Sequence, residues 1–106
     1  MGPEDKKIQE IQMLEQTLHN LSFQKQSFQL ELFEVIESLS SLQSSGEEVF
    51  KIIGQLMIRA DKKKAQEELL NKQKLLELRI KSFEKEEDSL SKKIVTLREE
   101  LIKQKK

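Results

Sequence analysis

The sequence predicts a mainly α-helical protein, in which two long helices form an antiparallel coiled coil and are joined by a single β-hairpin. Three observations give this fold class. Apolar residues recur every 3.5 residues along two long stretches, a short β-branched segment separates the stretches, and only three Gly and one Pro occur in 106 residues. Such a sustained period is typical of coiled coils and not of globular helices.

The first helix is predicted over residues about 4–44. Its apolar seam, with Ile11 at heptad position a, advances in steps of three and four residues, and Lys25 is its only polar member. The seam comprises Ile11, Leu14, Leu18, Leu21, Lys25, Phe28, Leu32, Val35, Leu39 and Leu42. Residues 44–46, Ser-Ser-Gly, end the pattern, because Ser competes for backbone hydrogen bonds and Gly accepts the left-handed cap conformation.

The middle segment, about 48–60, is predicted to be a β-hairpin that turns at Gly54 and Gln55. It is dense in Val, Ile and Phe, which favour strands, and a single Gly divides it. The competing interpretation is one hydrophobic helix that runs through the segment. Gly54 at its centre disfavours that helix, because Gly weakens helix interiors.

The second helix is predicted over residues about 61–106, with Asp61 as its N-cap. Its seam is weaker than the first. The d positions are Leu69, Leu76, Phe83, Leu90 and Leu97, and the a positions are Gln66, Gln73, Ile80, Glu87, Ile94 and Leu101. We expect the whole chain, 1–106, to form one domain.

The short connection forces the two helices to run antiparallel. The strong a and d residues then face each other when their numbers add to 108, as for Leu14 and Ile94. Two polar residues, Lys25 and Glu87, lie near each other in this register. They either form a pair that fixes the register or extend separately to water from a narrow seam, and the second interpretation is slightly favoured.

Composition excludes several functions. With no Cys and one His, the chain offers no thiolate or multi-His metal site, and its isolated Gly residues form no phosphate-binding loop. Residues 1–60 carry five Lys/Arg against nine Asp/Glu, and 61–106 carry fourteen against ten, which suits pairing between the halves better than nucleic-acid binding. We therefore expect a non-enzymatic, cytoplasmic protein without cofactor, metal, nucleic-acid or membrane partner.

The hairpin is apolar on both faces and has two open edges. A lone two-stranded hairpin is marginal in water, and open edges invite pairing with other strands. We therefore expect hairpins from several chains to share one sheet or barrel. The residues predicted to mediate this oligomerisation are Val49, Phe50, Ile52, Ile53, Gly54, Leu56, Met57 and Ile58.

Residues 48–58, and 62–69 with Ala65 among them, resemble the strand–Gly–strand segment and the charged helix start of archaeal-type prefoldin β subunits. The resemblance implies a hexamer of two prefoldin α and four β subunits, whose hairpins assemble into a β-barrel hub with the coiled coils around a cavity. It also implies a molecular chaperone that binds unfolded proteins without ATP and delivers them to a group II chaperonin.

Five apolar residues towards the ends of the chain lie off the seam, and we expect them to bind unfolded clients. These tip residues are Ile8, Met13, Phe23, Val95 and Ile102. Packing onto a neighbouring coil, or chance, is an equal alternative for them, because single exposed apolar residues are common. The alternative function is a coiled-coil structural scaffold or tether subunit of a larger complex.

Overall fold

The computed structural model describes residues 2–104. Its elements follow in the order α1 (Pro3–Gln43), β1 (Glu48–Ile53), β2 (Leu56–Asp61) and α2 (Lys62–Gln104). The predicted helix–hairpin–helix fold is confirmed, and the continuous hydrophobic helix is wrong. The end of the second predicted helix, at 105 and 106, lies outside the described residues, as does Met1.

Local chemistry sets both ends of α1. Pro3 occupies the first turn, where its missing N–H costs no hydrogen bond, and Glu4 and Asp5 follow it at the positive end of the helix dipole. At the other end, the Ser45 N–H donates to the Leu42 carbonyl at 3.2 Å, and the Ser45 hydroxyl donates to the same oxygen at 2.8 Å. Ser45 thus satisfies a carbonyl that the ending helix leaves without an intrahelical partner.

A two-residue loop connects the strands. Ile53 pairs with Leu56, so that Gly54 and Gln55 form the turn. Gly54 has a φ of 61°, whereas no non-glycine residue within 2–104 has a positive φ. A positive φ at the first loop position alone defines a type II′ turn, whose twist matches that of the strands. The predicted turn is therefore confirmed.

Two hydrogen bonds fix the point at which the chain leaves the hairpin and enters α2. The Lys62 N–H donates to the Glu47 carbonyl at 3.3 Å, and the Lys62 Nζ donates to the Ser45 carbonyl at 2.8 Å. Both acceptors belong to the connection that follows α1. The first turn of α2 is thereby tied to the segment between α1 and β1.

The chain divides into two compact units. Residues 1–27 and 80–106 make up the terminal unit, and residues 28–79 make up the hairpin unit. In the terminal unit, Lys7 forms an ion pair with Glu100 at 3.5 Å, and Glu15 forms one with Arg98. These pairs show that the two helical segments run antiparallel. Buried Ile11, Ile80 and Ile94 form the core of this unit.

The hairpin unit has its own antiparallel seam, with Val35 and Leu76 buried in it. Glu31 pairs with Lys72 at 3.1 Å across the helices, and the Arg79 guanidinium lies 5.6 Å from the centre of the Phe28 ring. All ten residues predicted for the α1 seam are buried or half-buried, each in its own unit.

Ion pairs test the register of each unit separately. In an antiparallel pair, e residues meet e residues and g residues meet g residues along the edges of the seam. Glu15 and Arg98 are both e positions in the terminal unit, and Glu31 and Lys72 are both g positions in the hairpin unit. Their numbers add to 113 and 103, one above and one below the predicted 108. The Lys7–Glu100 pair in the terminal unit and the Arg79–Phe28 contact in the hairpin unit, whose numbers both add to 107, lie closest to it.

The predicted seam is wrong at the start of α2. Gln66 is exposed, whereas Lys62 and Ala65 are half-buried and Leu69 continues the seam. The reason is the anchoring of Lys62 to the preceding connection, which sets the rotation at which α2 begins. The steps from Ala65 to Leu69 and on to Gln73 are both four residues, a local departure from the heptad.

Candidate oligomerisation and client-binding surfaces

The hairpin presents one strongly exposed apolar face. Strand alternation places Phe50, Ile52 and Met57 on the same face, because Ile52 pairs with Met57 and Phe50 with Arg59. Ile52 is 72% exposed, and its two apolar neighbours are also more than half exposed. Exposed apolar surface of this extent on a two-stranded sheet indicates a site of association.

The opposite hairpin face is covered only in part. Val49 and Ala60, at the helix end of the hairpin, are half-buried. Ile53, Leu56 and Ile58, nearer the turn, remain exposed. The sequence prediction of apolar residues on both faces is therefore correct for the turn half of the hairpin, while the helices shield the other half.

A groove of about 530 Å³ opens between the hairpin and the helices of the hairpin unit. Leu42, Val49 and Leu69 contribute apolar surface to its wall. Lys51 and Glu68, which form an ion pair, also line it. The groove has the size to receive apolar side chains from an added strand, with a polar pair at its edge.

All five tip residues are exposed in the terminal unit, with values from 38% for Ile8 to 71% for Met13. They do not share one surface. Ile8 is an e position, and Val95 and Ile102 are b positions, so these three lie on the e side of the coil. Met13 is a c position on the other side, and Phe23 is an f position that points away from α2.

The tip residues therefore divide into three on the e side of the coil and two elsewhere. In the register of the terminal unit, Ile8 lies between the levels of Ile102 and Val95. The three residues lie on one side of the coil, together with the charged Glu15–Arg98 ion pair. This side carries three of the five tip residues.

Lys25 and Glu87 meet inside the seam of the terminal unit. The Lys25 Nζ lies 2.7 Å from Oε1 of Glu87, and the Ser22 hydroxyl donates to Oε2. The hydrogen bond from Lys25, followed by that from Ser22, lowers the pKa of Glu87 below its ordinary value. The hydrogen bond to Glu87 raises the pKa of Lys25. The favoured interpretation, in which each side chain extends separately to water, is wrong.

Sequence reasoning missed four exposed apolar residues in the hairpin unit: Leu30, Phe33, Leu75 and Leu78. Their heptad positions, f, b, c and f, carried the signal, because apolar residues at outward positions are not needed for a two-helix seam. Ile36 and Leu70, both at e positions, are also exposed, at 46% and 42%.

Within the described residues 2–104, no group of three or more His, Cys, Asp or Glu side chains is arranged to hold a metal ion. In the same part of the chain, neither helix has an apolar stretch long enough to cross a membrane.

Comparisons with known proteins agree with this geometry. The prefoldin subunit family matches residues 5–106. The prefoldin subunit β of Thermococcus onnurineus is 33% identical over 94 residues, which cover 87% of this chain and 81% of the relative. That of Sulfurisphaera tokodaii is 35% identical over 82 residues, covering 76% and 66%.

One solved structure is similar to this chain over most of the length of both proteins. The crystal structure of the prefoldin β subunit from Thermococcus strain KS-1 superposes with a TM-score of 0.88 at 30% identity, covering 94% of this chain and 90% of that one. Paired helices with an exposed connecting hairpin, together with this similarity, define the class as coiled-coil subunits of the prefoldin type. The chain belongs to the prefoldin subunit family, and membership implies a chaperone-type function.

Proposed function

We propose that the chain is a holdase subunit that binds unfolded proteins without ATP and delivers them to a group II chaperonin in the cytoplasm. The observation that carries the proposal is that a fold of the prefoldin family leaves apolar side chains exposed both at the hairpin and in the terminal unit. Assembly needs the first surface and client binding needs the second.

Assembly proceeds through the hairpin. Its open edges supply unpaired backbone N–H and C=O groups, and Phe50, Ile52 and Met57 supply apolar area that a neighbouring strand covers. The groove beside Val49 receives side chains from the same neighbour. The partners are prefoldin α subunits and further β subunits, in a hexamer of two α and four β chains with a β-barrel hub.

Client binding proceeds through the tip residues. Non-native proteins expose apolar side chains in no fixed arrangement, so a holdase needs exposed apolar groups that accept varied partners. Met13 is suited to such contacts because its unbranched thioether side chain is flexible. Ile8, Val95 and Ile102 provide exposed apolar groups on one side of the coil, and the charged residues around them keep the unloaded coil hydrated.

The hub is tested by Ile52→Lys, which places a charge in the shared sheet at a cost of several kcal/mol if the site is buried. We expect native mass spectrometry of the mutant mixed with α subunits to show no hexamer, while circular dichroism retains much of the helical signal. The matched control is Gln55→Lys, at the exposed turn, which should assemble normally. A mutant that assembles at full mass would contradict the proposed hub.

The chaperone activity is tested by the aggregation of a chemically denatured model protein in the presence of the assembled hexamer without ATP. We expect protection at a near-stoichiometric ratio. Removing residues 1–9 and 99–106 should leave the mass consistent with a hexamer of shortened chains but greatly weaken protection. If the unmodified hexamer gives no protection, the chain is better described as a scaffold or tether subunit.

A further inference from the structure

Met57 lies on the exposed apolar face of the hairpin. It pairs with Ile52 across the strands, and Phe50 lies on the same face. The Met57 side chain is 68% exposed, close to the 71% of Met13 in the terminal unit. Two methionines of similar exposure therefore occupy two surfaces with different proposed roles. Met1, the third methionine of the chain, lies outside the described residues.

Composition and exposure decide which side chains of this chain a peroxide attacks. Cysteine thiolates and methionine thioethers are the sulfur groups that peroxides oxidise, and the chain contains no Cys. It also contains no Trp and no Tyr. Oxidation by peroxide is therefore directed to the methionines, and in the free chain Met57 is as accessible as Met13.

The surroundings of Met57 make the oxidised product unfavourable in an assembly. Sulfoxidation converts a flexible apolar side chain into a polar one. Ile52 and Phe50, on the same face, have apolar side chains that offer the sulfoxide oxygen no hydrogen bond. Arg59, the next residue along this face of the strand, forms an ion pair with Glu48 at 3.6 Å. A neighbour that covered this face would bury a polar oxygen among apolar side chains.

We infer that Met57 is an oxidation site that controls whether the free chain can assemble. A lone pair of the thioether sulfur attacks one oxygen of a peroxide, the O–O bond breaks, and a sulfur–oxygen bond forms. The sulfur loses two electrons and the peroxide gains them, so that hydrogen peroxide releases its second oxygen as water. The oxidised chain presents a sulfoxide where the hub needs an apolar contact, and it stays unassembled.

The inference rests on the proposed hub, because oxidation and assembly exclude each other only if assembly covers Met57. A chain in the hexamer has this side chain shielded, so peroxide reaches it slowly. A chain that has not yet met its partners is open to attack. Methionine sulfoxide reductases return the sulfoxide to the thioether, so the block is reversible. The modification therefore acts on free subunits and not on complete hexamers.

Peptide mass spectrometry after a short treatment with hydrogen peroxide tests the accessibility of the two methionines. In the isolated chain, we expect Met57 and Met13 to gain oxygen at similar rates. In the hexamer formed with α subunits, the rate at Met57 should fall several-fold, while the rate at Met13, which does not belong to the hairpin, should change little. Equal rates at the two residues in the hexamer would overturn the inference.

Native mass spectrometry measures assembly after the peroxide has been removed and untreated α subunits have been added. The oxidised parent chain should give several-fold less hexamer than the untreated chain, and methionine sulfoxide reductases should restore the yield. Oxidised Met13→Leu should remain impaired. Oxidised Met57→Leu should assemble as well as its untreated form, because Leu has a similar volume and has no thioether. Equal impairment of the two oxidised variants would place the damage elsewhere and refute the inference.

A substitution without oxidant gives an independent measurement. Met57→Gln supplies a polar side chain of similar length and should lower the hexamer yield several-fold, whereas Met13→Gln should not. Circular dichroism of the isolated chains checks that both variants retain their helices. Full assembly of Met57→Gln, or of the parent chain with Met57 completely oxidised, would refute the inference alone. An untreated parent chain that forms no hexamer would refute the proposed hub and the inference with it.

Discussion

The Lys25 ammonium lies 2.7 Å from a carboxylate oxygen of Glu87, so the only polar residue of the α1 seam meets an acidic residue of the α2 seam. Both side chains are at least four-fifths shielded from solvent, with 20% and 16% exposed. The Ser22 hydroxyl donates a hydrogen bond to the second carboxylate oxygen of Glu87. A charge that is shielded to this extent needs its partner, because removing one member leaves the other poorly solvated.

A double-mutant cycle measures this coupling. Lys25→Leu leaves Glu87 without its cation and should lower the free energy of unfolding by about 1 kcal/mol. Glu87→Leu should have a similar effect, and the double mutant should lose less than the two single changes together, with a coupling above about 0.5 kcal/mol. The measurement is urea denaturation of the assembled protein. Greater stability of Lys25→Leu would revive the interpretation in which Lys25 extends to water.

The same pair makes stability depend on pH. The folded-state pKa of Glu87 is lowered, chiefly by Lys25. The ionised Glu87 carboxylate therefore contributes its full stabilisation of the fold above the ordinary Glu pKa of about 4.3. This stabilisation disappears as the pH falls through the lowered pKa. The folded-state pKa of Lys25 is raised, so the dependence has the opposite sign. The charged Lys25 stabilises the fold fully below the ordinary Lys pKa of about 10.4, and this stabilisation is lost as the pH rises through the raised pKa.

Glu87→Gln tests the loss of stability at acidic pH, because the Gln side chain can still form hydrogen bonds but does not titrate. Between pH 7 and about pH 3, we expect the melting temperature of the unmodified protein to fall further than that of Glu87→Gln. The difference should develop below about pH 4.3. Parallel melting curves for the two proteins across this range would mean that the ion pair contributes no stability.

The turn residue Gly54 predicts an effect that arises from backbone conformation alone. A Cβ at this position would meet nothing within 4 Å, but the φ of 61° is unfavourable for residues with side chains. Gly54→Ala should therefore lower hairpin stability by about 1–2 kcal/mol, whereas Gln55→Ala, at the next position, should cost little. Thermal unfolding of the hexamers compares the two.

Asn at the same position separates the two turn types. A type II′ turn does not place its first residue in the left-handed helical region that Asn tolerates, whereas a type I′ turn does. Gly54→Asn should consequently be about as destabilising as Gly54→Ala. If Asn restored most of the stability, the turn would be of the other type.

The parts of the fold that local chemistry controls were predictable from sequence. The α1 seam follows directly from the spacing of residues such as Ile11 and Val35, and the turn follows from an isolated Gly between two β-branched runs. The rotation at which α2 starts was not predictable. It depends on hydrogen bonds from Lys62 to the preceding connection, which no periodicity encodes, and Ala65 replaces Gln66 in the seam for this reason.

The candidate surfaces were predictable to different extents. The exposure of Ile52 and Met57 followed from the lack of any element in this chain that could cover a two-sided apolar hairpin. The division of the tip residues between sides of the coil was not predicted, because the prediction used only their distance from the chain ends and not the side on which each residue lies. Once heptad positions are combined with the observed Glu15–Arg98 pair, Ile8 falls with Val95, and Met13 separates from both.

This grouping makes the final prediction, which concerns how the terminal unit binds clients. Replacing Ile8, Val95 and Ile102 by Ser removes the three tip residues of the e side without changing charge or length. We expect the triple variant to assemble normally, because none of the three residues belongs to the seam. Its protection of a denatured model protein should fall several-fold, since each lost apolar contact weakens binding and the three act on one client segment.

The matched control is Met13→Ser with Phe23→Ser, which removes the two most exposed tip residues from other sides of the coil. If the e-side residues carry most of the binding, this control should lose less protection than the triple variant, although it removes comparable exposed apolar area. If the control is impaired as strongly as the triple variant, total apolar exposure matters and not the e side. Full protection by both variants would exclude the tip residues as the binding site and leave the client contact to the α subunits or to the walls of the cavity.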